Sequence, residues 1–237
     1  MKKLNWGIIG LGAIAQQFSK AFVETSNSKL LAVASHDFQK LDFFKKQFSI
    51  EEKFLYKNYE DLINCRDIDI IYIALPNSLH FQWVNESIKN NKNTLVEKPA
   101  TLNFEEAKNI KKILLDKNIF FGEAFMYRYH PQINYILNLI EGNEIGNLIS
   151  MESSFGINIL SKKKFLFFDK KKKIKKSNRT FNKKLGGRRI LYLGWYPSAF
   201  RLLVKSLKNK IDNYDFKLSK KIKKIGETGV DVDSGAE

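Results

Sequence analysis

The chain has 237 residues and a formal net charge of +16, and 43% of its residues are hydrophobic while 28% are charged. This is a globular composition, and the length allows one large domain or two smaller ones. Cys65 is the single cysteine, which excludes an intrachain disulfide framework. No apolar run approaches the roughly 18 residues of a membrane span.

The N-terminal segment MKKLNWGIIGLG is basic and then apolar, as a signal peptide would be. Its apolar part is short, is interrupted by glycines and lacks a clear cleavage site, so we expect no signal peptide. Together with the single cysteine, this favours a protein of the reducing cytoplasm.

Strand-like and helix-like patterns alternate through residues 1–122. Short apolar runs predict strands over residues 4–9, 30–34, 54–56, 69–74, 94–96 and 119–121. Apolar faces and capping residues predict helices after residue 12 and over residues 38–47, 59–64, 79–91 and 103–116. Such alternation is typical of parallel sheets with right-handed crossovers, and it predicts an α/β fold.

The segment GLGAIA follows the first predicted strand and has the spacing of a phosphate-binding loop. Gly10 permits a tight turn, Gly12 lets a pyrophosphate approach the backbone, and Ala15 keeps the helix close to the sheet. The helix that starts here would offer N–H groups to the phosphates. We therefore expect Gly10, Gly12, Ala13, Ile14 and Ala15 to bind NAD or NADP, with residues 1–122 as a Rossmann-type domain. The alternative is a plain tight turn.

The end of the second strand selects between the two cofactors. An acid there would hold the ribose 2′-hydroxyl of NAD, whereas small, polar or basic groups accept the 2′-phosphate of NADP. Ser35 and His36 favour NADP, while Asp37 one step later favours NAD. The sequence indicates NADP over NAD.

The segment TLVEKPA, residues 94–100, ends a buried strand with two charges and a proline. Open α/β sheets bind ligands at the edge where their strands end, so Glu97 and Lys98 are expected to face that crevice. Pro99 restricts Lys98 to extended geometry and is compatible with a cis peptide bond before it. The alternative is a strand that simply leaves the sheet for a solvated turn.

A different pattern begins at about residue 123. A helix near 131–141, strands at 147–159, 212–218 and 219–225, a helix at 189–207 and a further strand pattern from residue 229 predict an α+β domain over residues 123–237. Its sheet is expected to be open and mainly antiparallel.

Most of the net charge lies in residues 161–189, which contain eleven Lys, three Arg and one acid, or +13 of the total +16. We interpret this run as a solvated loop. The alternative is a polyanion-binding arm, whose binding would be salt-dependent. No zinc-ligand spacing or RNA-binding aromatic motif accompanies the run, so no specific nucleic-acid partner is predicted.

Taken together, the motifs resemble the Gfo/Idh/MocA family of oxidoreductases, and within it the dihydrodiol and D-xylose dehydrogenase branch. The likeness covers nearly the whole chain, and the joint spacing of the motifs is more specific than any one of them. The motifs are GLGAIA at 10–15, LPNSLH at 75–80, EKP at 97–99, EAFMYRYHP at 123–131, Gly-Gly at 186–187 and GWYP at 194–197.

The resemblance implies an NAD(P)-dependent oxidoreductase that transfers a hydride between nicotinamide and a sugar or polyol-like substrate. Family members tend to pair subunits through the open sheet of the second domain, so the resemblance also implies a homo-oligomer formed through the C-terminal sheet. It implies Lys98 beside the nicotinamide and the substrate, and Tyr196 as acid/base. An ammonium near a phenol favours the phenolate, which makes this pair chemically coherent. Further cofactor contacts are expected at Pro76, Asn77, His80 and Glu97. Arg128 is expected either to contact the substrate or to hold the two domains together. His130, before Pro131, is expected to cap a helix.

Three features depart from the family pattern. Tyr192 stands where the family usually has Asp, Arg188 and Arg189 follow Gly-Gly, and family members usually continue beyond the segment at residues 229–234, so the second sheet is expected to be truncated at its C-terminal end. These departures keep open a catalytically impaired dinucleotide-binding relative, beside the polyanion-binding alternative. His36, His80 and His130 are scattered, so no metal site is predicted.

Overall fold

The computed structural model describes residues 3–156, 161–164, 168–171, 182, 190–208, 220–225 and 231–236. Contacts between Cα atoms divide the chain into a first unit, Met1–Ala124, and a second unit, Phe125–Glu237.

The first unit is built on a six-stranded parallel sheet. Its strands are β1 (Leu4–Ile9), β2 (Ser28–Ala34), β3 (Leu55–Tyr56), β4 (Ile70–Ile73), β5 (Asn93–Val96) and β6 (Phe121–Glu123). They lie in the order β3-β2-β1-β4-β5-β6. The order reverses between β1 and β4, and ligands of open α/β sheets bind at such a reversal. The predicted α/β fold with a Rossmann-type sheet is confirmed.

Five helices connect these strands: α1 (Ala13–Lys20), α2 (Phe38–Phe48), α3 (Tyr59–Asn64), α4 (Asn77–Lys89) and α5 (Phe104–Leu114). Two of them start at residues that cap their free N–H groups. Asp37 accepts from the N–H groups of Gln39 and Lys40 at the start of α2, and Asn103 accepts from that of Glu106 at the start of α5.

The core explains why β4 is apolar along its whole length. All four of its residues are buried, as are the last three of β1 and of β2. Strands covered on both faces read as continuous apolar runs. Tyr72 belongs to this buried set, and its ring packs against Phe18 of α1 with centroids 4.2 Å apart.

Several element boundaries differ from the prediction by one or two residues, and two of them lie next to the site. Helix α4 begins at Asn77, two residues earlier than expected, because the extended Pro76 acts as its N-cap. Strand β6 covers Phe121–Glu123 rather than residues 119–121, because its pairing with β5 sets Thr94 opposite Phe121 and Val96 opposite Glu123. Both boundaries depend on neighbouring chain segments.

The second unit contains helices α6 (Pro131–Glu141) and α7 (Trp195–Lys208), a π-helical turn at Ile190–Gly194 and two antiparallel strand pairs. The strands are β7 (Ser161–Lys164), β8 (Phe168–Lys171), β9 (Lys221–Ile225) and β10 (Asp231–Ala236). His130 caps α6 as expected, because its Nδ1 accepts from the N–H of Gln132 at 3.2 Å.

Two expectations for this unit were wrong. Residues 147–156 form no strand, although their polarity alternates, since a strand needs a partner and no described strand pairs with them. Part of the basic run is not a loop, because β7 and β8 pair as a hairpin in which Lys163 lies opposite Asp169. Backbone hydrogen bonds can pair strands whatever the polarity of their side chains. The expected strand at 212–218 lies outside the described residues.

Candidate functional site

The loop between β1 and α1 requires glycine at its first position. Gly10 has φ +90°, and a Cβ there would lie 2.7 Å from Cδ2 of Leu75 and 2.8 Å from the carbonyl oxygen of Ala74. The N–H of Gly10 donates to the carbonyl of Ala34 at 3.1 Å. The turn is therefore held closely against the ends of β2 and β4.

Gly12, in contrast, faces open space. Apart from Gly12 itself and its two chain neighbours, no described residue has an atom within 4 Å of the position that a Cβ would take. Gly12 is the N-cap of α1. Among the described residues, no side chain caps the N–H groups at this helix start, and the first turn contains no acid. Ala13 is exposed, while Ala15 is fully buried against the sheet. Free N–H groups, a positive dipole end and space at Gly12 fit a bound pyrophosphate.

Asp37, which follows the end of β2, caps the start of α2 with its carboxylate. Its Oδ1 accepts from the N–H groups of Gln39 and Lys40 at 3.0 and 3.3 Å, and its Oδ2 lies 3.5 Å from Nζ of Lys40. Ser35 is buried, and its Oγ accepts from the N–H of Asp37. His36 is exposed with Nδ1 2.8 Å from the carbonyl oxygen of Lys57. Because a carbonyl oxygen only accepts, Nδ1 is the donor in this contact, and Nε2 is left for another partner.

Asn77 is the most suggestive polar residue of the site. It is 7% exposed, at the edge of the sheet where β4 ends, and it follows the N-cap Pro76. Its Nδ2 has no hydrogen-bond partner within the described parts of the chain. Buried donors are rarely left unpaired in folded proteins, so this amide fits a polar ligand such as a dinucleotide.

Lys98 directly follows Glu97 beyond the end of β5, and it is half-buried. The peptide bond between Lys98 and Pro99 is cis. Glu97 does not simply face the crevice, because its Oε1 accepts from the hydroxyl of Tyr72 at 2.6 Å. Burial, and next the charge of Glu97, raise the pKa of Tyr72, so the phenol remains the donor.

His80 lies beneath these loops and is completely buried. Its Nδ1 is 2.7 Å from the carbonyl oxygen of Pro99, and its Nε2 is 2.8 Å from that of Leu75. The ring therefore joins the loop after β4 to the loop after β5. Both nitrogens lie against carbonyl oxygens, and a neutral imidazole donates to only one of them.

Two residues of this edge were not among the candidates from the sequence. Glu123, the last residue of β6, accepts from the N–H of Ala100 at 2.7 Å, and burial raises the pKa of its carboxyl. Tyr72 holds Glu97 as described above. The usable signal was a tyrosine inside an apolar strand, because a buried hydroxyl needs a partner.

In the second unit, Tyr196 belongs to an aromatic cluster. Its ring stacks on Phe155 at 4.3 Å between centroids and lies 5.6 Å from Tyr127. Burial raises the pKa of Tyr127, and the neighbouring cation of Arg128 opposes this shift. Arg128 itself is exposed, in the 3₁₀ turn Met126–Tyr129. The structure thus brings Tyr196 and the turn with Arg128 into one unit.

Some candidates lie outside the described residues, namely Gly186, Gly187, Arg188 and Arg189, and Tyr192 is described only as part of the π-helical turn. Among the residues that are described, no group of three or more His, Cys, Asp or Glu is arranged to hold a metal ion. No described helix combines the length and apolar character of a membrane span.

Comparison with known proteins identifies the fold of the first unit. Residues 4–124 match the model of an oxidoreductase family with an NAD-binding Rossmann fold, named GFO_IDH_MocA. The match covers just over half of the chain.

Curated relatives include a trans-1,2-dihydrobenzene-1,2-diol dehydrogenase from Xenopus tropicalis, 28% identical over 84% of this chain and 56% of its own. A D-xylose 1-dehydrogenase (NADP⁺) from Hypocrea jecorina is 30% identical over 82% of this chain and 51% of its own. The chain spans about half the length of these relatives.

A solved structure, scyllo-inositol dehydrogenase from Lactobacillus casei with bound NAD(H) and scyllo-inositol, is similar with a TM-score of 0.58 and 26% identity. The likeness covers 62% of this chain and 43% of that one. The sequence prediction of the family is confirmed: the chain belongs to the Gfo/Idh/MocA family of oxidoreductases, with an NAD(P)-binding Rossmann fold.

Proposed function

We propose that this protein is an NAD(P)-dependent oxidoreductase acting on a hydroxyl or carbonyl group of a sugar or polyol-like molecule. The observation that carries the proposal is the loop Gly10–Gly12, where one glycine has no room for a side chain and the next faces open space at the start of α1. The names of the relatives support substrates of this class.

Nicotinamide supplies the hydride chemistry when it is bound. The chain supplies the remaining functions. The N–H groups at the start of α1 bind the pyrophosphate, and the unpaired Nδ2 of Asn77 donates a hydrogen bond to the cofactor. Pro76 positions Asn77 as the N-cap of α4.

Proton transfer is assigned to Tyr196 with Lys98. Oxidation of a carbinol requires its hydroxyl proton to leave, and a phenol is a poor base unless a cation stabilises the phenolate. In the reverse direction the same phenol donates a proton to the carbonyl oxygen. Arg128 is the proposed substrate contact beside Tyr127 in the second unit.

NADP is the proposed preference. Support comes from Asp37, whose carboxylate is engaged by two backbone N–H groups of α2. Ser35 and His36 remain as the polar groups at the end of β2 for the 2′-phosphate. We expect Asp37→Ala to change the ratio of the KM for NAD to the KM for NADP only a little. His36→Leu should lower this ratio, because it removes a polar group proposed to bind the 2′-phosphate.

The test is oxidation of D-xylose, D-glucose and a cyclic diol, followed by the absorbance of the reduced cofactor. Lys98→Met and Tyr196→Phe should each lower kcat by roughly 10²-fold or more. Lys89→Met is the matched control, because Lys89 is an exposed lysine of α4 paired with Glu86. Equal rates in wild type, Lys98→Met and Tyr196→Phe would remove the proposed centre. Cofactor binding without turnover of any member of the panel would favour a catalytically impaired relative.

A further inference from the structure

One peptide group at the edge of the sheet is held from both sides. It is the group between Pro99 and Ala100, directly after Lys98. Its carbonyl oxygen lies 2.7 Å from Nδ1 of His80, and its N–H donates to Oε1 of Glu123 at 2.7 Å. A peptide group has one donor and one acceptor, so side chains engage both of its hydrogen-bonding functions when Nδ1 of His80 carries the ring proton.

The two side chains come from different elements and are themselves well fixed. His80 is in α4, is 0% exposed, and also contacts the carbonyl of Leu75. Glu123 ends β6, whose pairing with β5 sets its register. His80 and Glu123 together form what we call the clamp. The clamp ties the loop after β5 to the loop after β4 and to the end of β6.

The clamped loop is also fixed further along. Glu106 accepts from the N–H of Leu102 through Oε2, at 2.9 Å, while Asn103 caps α5. Pro99, Ala100 and Thr101 are all buried. Lys98 directly precedes this held peptide group, so the backbone of Lys98 has little freedom to move.

Glu123 is not needed to complete the sheet. Its backbone pairs with Val96, so its side chain is an additional feature. Placing a carboxyl in a mostly buried position is unfavourable, and burial raises its pKa. A hydrophobic residue would fill this place without that cost, which points to a role for the acceptor itself.

We propose that Glu123 and His80 are positioning residues that hold the Pro99–Ala100 peptide between them and thereby orient Lys98 at the edge of the sheet. The inference rests on the proposed function, because it gives Lys98 its place at the reacting centre. A displacement of about 1 Å in such a group can cost roughly 10²-fold in rate.

The test uses the full chain and paired variants. Glu123→Met keeps the length of the side chain and removes the carboxylate acceptor, while Glu123→Gln keeps an acceptor oxygen. We expect Glu123→Met and His80→Leu to lower kcat by about tenfold to a hundredfold with a changed pH profile, and Glu123→Met to keep a Kd for NADPH near that of wild type. Glu123→Gln should recover most of the lost turnover. Ser87→Ala is the control, because it removes a buried hydrogen bond in the same helix as His80, from Ser87 to the carbonyl of Trp83.

A second readout does not depend on turnover. Trace acetylation followed by mass spectrometry measures the reactivity of individual lysines as a function of pH. Glu123→Met should change the reactivity of Lys98 and leave that of Lys89 unchanged.

Three outcomes would overturn the inference: wild-type kcat and Lys98 reactivity in Glu123→Met, an equal loss of kcat in Ser87→Ala, or a loss of kcat that only follows a loss of folded protein. A wild-type chain that turns over no substrate would instead defeat the proposed function. The reactivity of Lys98 would still decide whether the clamp orients it.

Discussion

At the scale of single residues, the edge of the sheet is defined by which polar atoms the protein itself has already engaged. The hydroxyl of Tyr72 donates to Glu97, and the N–H of Ala100 donates to Glu123. The two ring nitrogens of His80 lie against backbone carbonyl oxygens. The amide nitrogen of Asn77 has no such partner among the described residues. This difference separates residues that build the site from a residue available to a ligand.

The hydrogen bond from Tyr72 to Glu97 predicts a large effect of a single oxygen atom. Tyr72→Phe leaves a carboxylate without its donor and should lower the free energy of unfolding by about 1.5–3 kcal/mol. Urea denaturation measures this change. Tyr59→Phe is the control, because Tyr59 is another buried tyrosine whose pKa is raised by burial, without a contribution from a carboxylate. Equal changes in both variants would contradict the assignment.

Glu123 predicts a dependence of stability on pH. Its pKa in the folded state lies above the ordinary value of 4.5, because burial disfavours the charged form. The folded state then binds more protons than the unfolded state, so this contribution to stability is present below 4.5 and is lost as pH rises through the raised pKa. Glu123→Gln removes this dependence.

The measurement is the free energy of unfolding of wild type and Glu123→Gln from pH 4.5 to 8. The variant should gain stability relative to wild type as pH rises. A constant difference across this range would show that the carboxyl titrates normally in the folded protein.

At the scale of elements, the turn between β1 and α1 combines two glycines with opposite surroundings. Gly10 has a positive φ and would place a Cβ against the backbone of Ala74, whereas Gly12 has an extended backbone with space beside it. One glycine is required by the fold and the other by the approach of a ligand.

This contrast predicts different results for the same substitution. Gly10→Ala should destabilise the protein by about 2 kcal/mol or more, because of its left-handed backbone and the overlap. Gly12→Ala should change stability by less than about 1 kcal/mol but weaken NADPH binding about tenfold or more. Denaturation and fluorescence titration measure the two quantities. Gly12→Ala with wild-type affinity would place the pyrophosphate elsewhere.

At the scale of the whole molecule, the first unit contains the sheet, its buried core and every proposed cofactor contact. The core extends from Ile8 in β1 to Ile110 in α5, and the family match ends at Ala124. Tyr196 and Arg128, the proposed proton-transfer and substrate residues, belong to the second unit.

This division predicts that binding and turnover can be separated. A fragment of residues 1–124 should fold, and it should bind NADPH within about tenfold of the full chain, because a unit with its own core can fold alone. It should have no turnover, since it lacks Tyr196. Circular dichroism and fluorescence titration test the fragment, with full-length Tyr196→Phe as the comparison. A fragment that folds without binding NADPH would show that the second unit contributes to the cofactor site.

The sequence by itself determined the alternation of strands and helices in the first unit, the phosphate loop and the family. These depend on local signals, namely apolar runs, capping residues and the spacing of glycines, which a short stretch of chain contains in full. It also predicted the cap at His130, which acts over two residues. The tertiary structure alone decided where β6 begins, that residues 147–156 form no strand, and that His80, Glu97 and Glu123 are held by partners far along the chain. Each of these depends on a group brought close by folding, such as the hydroxyl of Tyr72, which lies 25 residues from Glu97 in sequence and 2.6 Å from it in space.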